Sequence, residues 1–182
     1  MTELIEIMLS HLDEIEIMGN DGVRYTPQRI VDIAKNESRV VQLEMQLNSK
    51  LPQDYREFLI HVNGGQPKVG FNAIDEDSIP DIVLWYSLNR NTMYLDGDSR
   101  IETMNKWNGD VRPNGLLEIA NDSCGNSFCV SLTPQKYGEI YYLDFSKRGR
   151  RIECDEDKWG LCKRTDDGFT SLCKRFMQGF KE

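Results

Sequence analysis

The chain has 182 residues, 39% hydrophobic and 29% charged, a composition typical of a globular domain. Its formal net charge of −8 at pH 7 argues against direct binding to nucleic acids or anionic membranes, which are polyanions, and is compatible with a basic protein partner. The length predicts a single domain, with residues 26–182 as its core and residues 1–25 as a helical extension.

The N-terminal stretch predicts an amphipathic helix rather than a targeting signal. Acidic residues stand where a signal peptide requires basic ones, and the longest apolar run, Ile82–Tyr86, is too short to span a membrane. We therefore expect a cytoplasmic protein. Thr2 is a suitable N-cap, and the helical stripe that follows consists of Leu4, Ile5, Met8, Leu12 and Ile15.

Two more helices are predicted before residue 50. Thr26 and Pro27 match the cap and first position of a helix, and a second helix is expected over residues 37–47. The apolar positions of the first are Ile30, Val31 and Ile33, and those of the second are Val40, Leu43 and Leu47.

The segment LPQDYREFLIHVNGG, residues 51–65, predicts a short and well-capped helix. Pro52 suits the first helical position, and Asp54 places a carboxylate in the first turn, where the helix dipole favours negative charge. The sequence from Asn63 to Gly65 can adopt the left-handed conformation that ends a helix. We expect one face in the core, formed by Tyr55, Phe58, Leu59 and Val62.

Strands dominate the rest of the chain. Ile82–Tyr86 predicts a buried strand, and Asp98 is expected to cap a short helix that ends at Trp107. The inward positions of that helix are Ile101, Met104 and Asn105.

Three strands with short, breaker-rich connections predict an antiparallel meander. They cover residues 116–120, 128–132 and 139–145, and residues 157–164 are an ambiguous further strand. In the third, Tyr141, Leu143 and Phe145 are expected on one face, with Ile140, Tyr142 and Asp144 on the other. A C-terminal amphipathic helix carries Phe169, Leu172, Cys173, Phe176 and Phe180. The predicted fold is α+β, with a mainly antiparallel sheet of five or six strands and helices packed against it.

Three stretches resemble the SUKH superfamily, the Smi/Knr-like domains, in the family's order. They are the helix at 51–65, the GLLEIA and CGN sequences at 115–126, and GEIYYLD at 138–144. The matching positions are Leu51, Pro52, Tyr55, Phe58, Leu59, Asn63, Gly64, Gly65, Gly125, Asn126, Gly138, Tyr141 and Asp144. The resemblance implies a fold of helices packed on a mainly antiparallel sheet.

The resemblance also implies a function. Bacterial SUKH proteins are largely immunity proteins that bind a cognate toxin domain, often a nuclease, and block it. It implies a stoichiometric inhibitor that needs neither catalysis nor a cofactor. A regulatory or scaffolding role is the alternative, because eukaryotic relatives are linked to cell-wall synthesis and signalling.

A cysteine-dependent hydrolase is a third hypothesis. Cys124 lies in a polar loop, His61 is the candidate base, and Asp122 could orient that base. The five cysteines include no CxxC pair, and neither histidine lies in a zinc-ligand pattern, so we expect free thiols and no metal.

Acidic clusters in predicted loops are the candidate partner-binding residues. Such loops can simply be solvated, or they can form an acidic surface that docks a basic partner and speeds encounter. The candidates are Asp75, Glu76, Asp77, Asp81, Asp96, Asp98, Asp155, Glu156 and Asp157, with Trp85 as an aromatic anchor. One basic cluster, residues 147–151, is expected to be an exposed turn.

Overall fold

The computed structural model describes residues 3–13, 17–18, 24–25, 32–67, 82–88, 93–94, 97–98, 101–107, 112–145 and 162–178. Within these ranges the α-helices are α1 (Glu3–His11), α2 (Ile33–Leu47), α3 (Gln53–His61), α4 (Ile101–Trp107) and α5 (Phe169–Gln178), and a short 3-10 helix covers Pro134–Lys136. The strands are β1 (Leu12–Asp13), β2 (Ile17–Met18), β3 (Arg24–Tyr25), β4 (Gln66–Pro67), β5 (Ile82–Trp85), β6 (Met93–Tyr94), β7 (Gly97–Asp98), β8 (Leu116–Asp122), β9 (Ser127–Ser131), β10 (Ile140–Leu143) and β11 (Cys162–Asp166). The predicted α+β fold is confirmed.

The main sheet has five strands in the order β11-β10-β9-β8-β5, and every neighbouring pair is antiparallel. Strands β8 to β10 form the predicted meander, β11 continues it at one edge, and β5 pairs with β8 at the other edge. The other strands of the described residues form two-residue pairs, β1 with β4, β2 with β3 and β6 with β7. The ambiguous strand at 157–164 corresponds to β11, and residues 157–161 lie outside the described residues.

Strand β10 confirms the predicted alternation of side chains. Ile140 and Tyr142 pack in the main core, whereas Leu143, Tyr141 and Phe145 join a smaller cluster that also contains Leu116 and Cys129. The strand itself is shorter than predicted, since its pairing with β9 covers only Ile140–Leu143. The large cluster lies on the helical side of the sheet, so this face carries most of the described core.

The N-terminal helix is confirmed, but it is shorter than predicted. It ends at His11, and Leu12 instead pairs with Pro67 in the β1–β4 ladder while its side chain stays buried. Ile15, the last residue of the predicted stripe, lies outside the described residues. Ile5 and Met8 are buried in the main core, so α1 packs on the domain. Strands β2 and β3 lie in a stretch predicted as a helical extension.

Helix α2 starts earlier than the helix predicted over residues 37–47. It begins at Ile33 because the Asp32 carboxylate accepts a hydrogen bond from the Lys35 N–H (3.0 Å) and caps it. Ile33 therefore belongs to this helix and not to the one predicted from Thr26, whose residues 26–31 lie outside the described part. Asn48 ends α2 in the left-handed conformation. Val40 and Leu43 are buried and Leu47 is partly buried, as predicted.

Helix α3 is the helix predicted within residues 51–65, and it begins one residue later than predicted. We call it the signature helix, because it lies in the first stretch that resembles the SUKH superfamily. Pro52 occupies the cap position rather than the first helical position, with an extended ψ of 138°, and its carbonyl accepts the Arg56 N–H (2.8 Å). The predicted apolar face is confirmed, since each of its members is at most 1% exposed; they are Tyr55, Phe58, Leu59 and Val62.

The predicted left-handed turn after α3 is confirmed, and it joins the helix to the sheet. Asn63, Gly64 and Gly65 have φ values of 61°, 78° and 136°. Gly65 and Trp85 exchange two backbone hydrogen bonds (3.1 and 2.8 Å). A Cβ on Gly64 would lie 2.7 Å from the Trp85 carbonyl oxygen, so this close approach requires glycine.

A cluster of aromatic rings fills the space between α3, β5 and α5. The Phe58 ring lies 5.5 Å from Trp85 and 5.0 Å from Phe169, and Phe176 lies 5.4 Å from Trp85. Such tilted and edge-on pairs add to the stability gained by burial. The predicted C-terminal helix is therefore confirmed as a core element, although Phe180 lies outside the described residues.

Helix α4 agrees with the prediction in extent but not in its cap. Ile101 is buried, and Met104 and Asn105 are partly buried, as expected. Asp98, the predicted cap, instead belongs to β7 and pairs with Met93. It does not directly precede the helix, which begins at Ile101.

Candidate partner-binding surface

The loop between β8 and β9 is organised around the Asp122 carboxylate. Its Oδ1 accepts the backbone N–H groups of Cys124 (2.9 Å) and Asn126 (2.8 Å). Its Oδ2 accepts the Asn126 side-chain amide (2.9 Å) and the Tyr142 hydroxyl (2.7 Å). Asn126 in turn accepts the Phe145 N–H through Oδ1 (2.8 Å). Four donors on one carboxylate make this a closed structural network.

Tyr142 holds the network from the neighbouring strand. Burial, its hydrogen bond to Asp122 and the negative charges of Asp122 and Asp144 raise the pKa of its phenol well above the ordinary value. The phenol therefore keeps its proton at physiological pH and remains a donor to Asp122. Tyr142 is not among the positions that match the SUKH superfamily, whereas its hydrogen-bond partner Asn126 is.

The structure does not join Cys124, His61 and Asp122 into a catalytic constellation. Cys124 is exposed at the loop, and the Asp122 carboxylate is occupied by donors of its own loop and of Tyr142. No hydrogen bond of the described residues connects His61, at the end of α3, to either residue. A Cys–His pair needs hydrogen-bond contact between thiol and base for activation.

A second buried network attaches α4 to β8. The Asn105 side chain accepts the Glu118 N–H (2.8 Å) and donates to the Glu118 carbonyl oxygen (3.0 Å), so it pairs with this strand like a neighbouring backbone. The Arg112 guanidinium contacts Asn105 and lies 3.7 Å from the fully buried Glu118 carboxylate. Ser127 donates to the same carboxylate (3.0 Å). Glu118 and Ser127 are buried, and the Arg112 side chain is 17% exposed, so this network chiefly fixes α4 to the sheet.

Trp85 is completely buried, which corrects its prediction as an interface anchor. Its ring contacts Phe58, Phe169 and Phe176, and its backbone pairs with Gly65. The position of Trp85 agrees instead with the buried strand that the sequence predicts over Ile82–Tyr86. Tyr86 beside it is buried as well.

Most of the predicted acidic surface lies outside the described residues. This applies to Asp75, Glu76, Asp77, Asp81, Asp96, Asp155, Glu156 and Asp157, and also to the basic cluster at 147–151. Asp98 alone of the acidic candidates lies in a described strand, β7. Their role in binding stays a prediction.

One exposed apolar surface of the described residues was missed by the sequence reasoning. Ile33, Val41 and Met45 are 48%, 42% and 75% exposed, and they lie along the outer side of α2; we call these three residues the α2 outer face. Their spacing of eight and four residues places them roughly along one side of a helix. The spacing of these residues can be read from the sequence, as can that of the buried stripe of the same helix. Periodicity alone, however, does not tell which apolar residues remain uncovered.

A surface depression of about 300 Å³ adjoins the C-terminal end of the α2 outer face. It is lined by Glu44, Met45, Asn48, Ser49 and Lys50. Nearby, the half-exposed Tyr137 donates its hydroxyl hydrogen bond to the Lys50 carbonyl oxygen (3.0 Å). Met45 is thus both a rim of the depression and the most exposed large apolar side chain among the described residues.

Glu44 forms the inner wall of this depression. Its carboxylate accepts the Leu51 N–H (3.1 Å) and the Lys50 ammonium (2.8 Å), and the Arg56 guanidinium lies 3.7 Å away. Burial acts to raise the pKa of Glu44, but the hydrogen bonds from Lys50 and Leu51 and the two positive charges outweigh it and lower that pKa below the ordinary value of a glutamate. Glu44 therefore stays ionised and anchors the start of the signature segment.

Within the described residues, no three His, Cys, Asp or Glu side chains converge on a point that could hold a metal ion. The helices of these ranges also include none with the length and hydropathy needed to cross a bilayer.

The sequence model of the SMI1 / KNR4 family (SUKH-1) matches residues 36–171, which is most of the chain. The matched range begins inside α2 and ends inside α5, so it contains the signature helix and the main sheet. No curated protein sequence matches the chain significantly.

Proposed function

Because this chain belongs to the SMI1 / KNR4 family (SUKH-1), we propose that it is a non-catalytic immunity protein. In this role it binds a cognate toxin domain in the cytoplasm and covers the toxin's active site. It acts stoichiometrically and uses no cofactor. The resemblance to bacterial SUKH proteins, which are largely immunity proteins, is the origin of this proposal.

The positions of the signature side chains support a binding role over an enzymatic one. The side chains of Tyr55, Phe58 and Leu59 are completely buried. Gly64 and Gly65 are buried at the contact with β5. Asn126 is 8% exposed and holds the β8–β9 loop from inside. A family that shares mainly its internal framework can vary its surface freely, as proteins that meet different toxins must. A shared catalytic site would instead place signature residues at the surface of a cleft.

The charge of the chain supports a basic partner. With a net charge of −8, the protein repels polyanions and attracts a toxin whose active site is built to hold nucleic acid. Acidic clusters such as residues 75–77 then occupy the place of the phosphate groups and exclude the substrate sterically. Electrostatic attraction of this kind chiefly accelerates association, and burial of the central contacts determines the dissociation rate.

Co-expression with a candidate toxin domain, such as the C-terminal domain of a secreted protein found in a neighbouring reading frame, tests this function. We expect the chain to protect cells from the toxin, to co-purify with it at a 1:1 ratio, and to abolish its activity at equimolar concentration in vitro. Undiminished toxin activity at a tenfold molar excess of the chain would contradict the proposal. Many substoichiometric partners and no effect on the toxin would indicate a scaffold instead.

A pair of charge-matched variants tests the acidic mechanism. Replacing Asp75, Glu76 and Asp77 by Asn, Gln and Asn should slow association with the toxin, most strongly at low salt. The control removes three acids from exposed positions on α1, α2 and α4 through Glu6→Gln, Glu37→Gln and Glu102→Gln. Equal association rates for the two triple variants would show that only net charge matters and not the position of the acidic cluster.

A further inference from the structure

We propose that Asn114 is a site of spontaneous modification, at which its side-chain amide is lost and a cyclic imide forms with the Gly115 nitrogen. Both residues are exposed in the turn that leads into β8. Asparagine is among the thermolabile residues of proteins, and a following glycine has no side chain to hinder attack by its backbone nitrogen. The reaction requires no partner, so it is independent of the proposed function.

The turn leaves the reacting groups unhindered. The Pro113 carbonyl oxygen accepts the Leu116 N–H (3.3 Å), which closes a four-residue turn. Gly115 has a φ of 81°, as the third residue of a type II turn does. Among the described residues, no hydrogen bond holds the Asn114 side chain or the Gly115 N–H. The amide is therefore free to rotate until its Cγ lies beside the Gly115 nitrogen.

A second Asn–Gly pair, Asn63–Gly64, is protected by its contacts. Asn63 Oδ1 accepts the Leu88 N–H (2.8 Å), and its Nδ2 donates to Asn36 Oδ1 (3.4 Å). Gly64 is buried so close to β5 that a Cβ would lie 2.7 Å from the Trp85 carbonyl oxygen. Ring closure here must break the Asn63 hydrogen bonds and move the turn away from the strand. It therefore requires local opening, whose free-energy cost slows the reaction.

The reaction balances with water as the only co-reactant. Hydroxide removes the Gly115 N–H proton, and the nitrogen forms a bond to Asn114 Cγ. The Cγ–Nδ2 bond breaks, and the amide nitrogen takes a proton from water and leaves as ammonia. A second water molecule then opens the imide on either side of the Gly115 nitrogen. Opening at Cγ leaves aspartate at position 114, whereas opening at the main-chain carbonyl carbon leaves isoaspartate, whose longer main chain runs through Cβ.

The two products should differ in their effect on the fold. Aspartate only adds a negative charge to an exposed turn. Isoaspartate lengthens the main chain directly before Gly115, whose carbonyl oxygen accepts the Leu132 N–H (2.7 Å). The next residue, Leu116, already pairs with Ser131, and a Cβ on Gly115 would clash with the Thr133 methyl group. We therefore expect the isoaspartyl chain to be less stable than the aspartyl chain.

Incubation of the full chain at mildly alkaline pH, followed by proteolysis and fragment mass spectrometry, measures conversion at each asparagine. In the native chain, Asn114 should react at least about tenfold faster than Asn63, because the latter requires local opening. In concentrated urea, the two should react at similar rates, because the dipeptide is the same and neither is held. Fragmentation also separates the Asn–Gly pair at residues 108–109, which lies outside the described residues.

Two variants separate the modification from its effect on stability. Asn114→Gln should abolish conversion at this position, because the longer side chain forms a cyclic imide far less readily. Asn114→Asp should keep the wild-type midpoint in urea, whereas the isoaspartyl fraction of aged wild type should unfold at a lower urea concentration. An isoaspartyl fraction with the wild-type midpoint would contradict the effect on β8.

Two results would overturn the site itself. One is an Asn114 that stays unmodified in the native chain, whether or not it reacts in urea. The other is an equal rate at Asn114 and Asn63 in the native chain, since the contacts of Asn63 would then give no protection.

Discussion

The Asp54 carboxylate caps helix α5 through Thr170, which lies 116 residues later in the chain. Its Oδ2 accepts both the backbone N–H and the side-chain hydroxyl of Thr170, each at 2.9 Å. Gly168, which directly precedes α5, has no side chain with which to cap it. The acid in the first turn of α3 therefore does for α5 what an N-cap residue does for its own helix. This contact ties the signature helix to the C-terminal helix.

Asp54→Ala should lower the free energy of unfolding by about 1–2 kcal/mol, because the substitution leaves the first turn of α5 without its cap. Urea denaturation measures this loss. Gln53→Ala is the control, since Gln53 is exposed in the same turn of α3 and its change should stay within about 0.5 kcal/mol. Equal losses for the two variants would contradict the capping role. Thr170→Val should cost less than Asp54→Ala, because it keeps the backbone hydrogen bond.

Gly64 and Gly125 allow a matched test of the close approach between α3 and β5. Their φ values are 78° and 80°, but a Cβ would lie 2.7 Å from a backbone oxygen at Gly64 and in open space at Gly125. Gly125→Ala should therefore cost about 1–2 kcal/mol of stability for the dihedral angle alone. Gly64→Ala should cost a further 1–3 kcal/mol or so for the clash with Trp85. Equal costs, measured by urea denaturation, would refute the steric reason for glycine.

Periodicity was sufficient to predict the elements whose side chains alternate between core and solvent. The face of α3 and the two sides of β10 follow from apolar spacings of 3.6 and 2 residues. Turn chemistry was equally reliable at Asn63–Gly65, because few residues accept a positive φ. Helix starts were less reliable. Asp32 caps α2 through its side chain, but the sequence prediction placed the start of this helix only at residue 37.

The contacts between distant segments could not be predicted. Nothing local to Asp54 indicates Thr170, and nothing local to Trp85 distinguishes an aromatic in the core from one at an interface. The α2 outer face could not be predicted either, because the sequence does not show that these apolar side chains are left uncovered. Val41 and Val40 are adjacent and chemically identical, yet one is 42% exposed and the other fully buried, a difference set only by what packs on the helix.

Tyr142 and Tyr55 should respond in opposite ways to removal of the hydroxyl group. Tyr142→Phe deprives Asp122 of a donor and Asn126 of an acceptor, so it should cost about 1–3 kcal/mol of unfolding free energy. The buried Tyr55 hydroxyl has no hydrogen-bond partner among the described residues, so Tyr55→Phe should be neutral or slightly stabilising. Thermal and urea unfolding measure both. A larger loss for Tyr55→Phe than for Tyr142→Phe would contradict this reading of the two sites.

Glu44 should make the stability of the fold depend on pH in the acidic range. Its pKa is lowered in the folded protein, so its ionised form stabilises the fold above the unfolded-state pKa, and this contribution is lost as the pH falls through the folded-state pKa. Glu44→Gln keeps an acceptor for Leu51 but loses the attraction to Lys50 and Arg56. The melting temperature of the wild type should exceed that of the variant by a constant amount above about pH 5, and the difference should shrink towards pH 3. A difference that does not vary with pH would exclude an electrostatic contribution.

If the proposed function holds, Cys124→Ser and His61→Ala should leave toxin neutralisation unchanged, because among the described residues the thiol has neither a contacting base nor a free carboxylate to orient one. Cys124 is exposed, so the substitution should not affect folding. Titration of toxin activity with each variant measures the inhibitory stoichiometry, which should stay at one chain per toxin domain. Loss of protection by Cys124→Ser with unchanged toxin binding would separate binding from inhibition. That result would revive the cysteine-dependent hydrolase, since a pure binder has no use for the sulfur atom at this position.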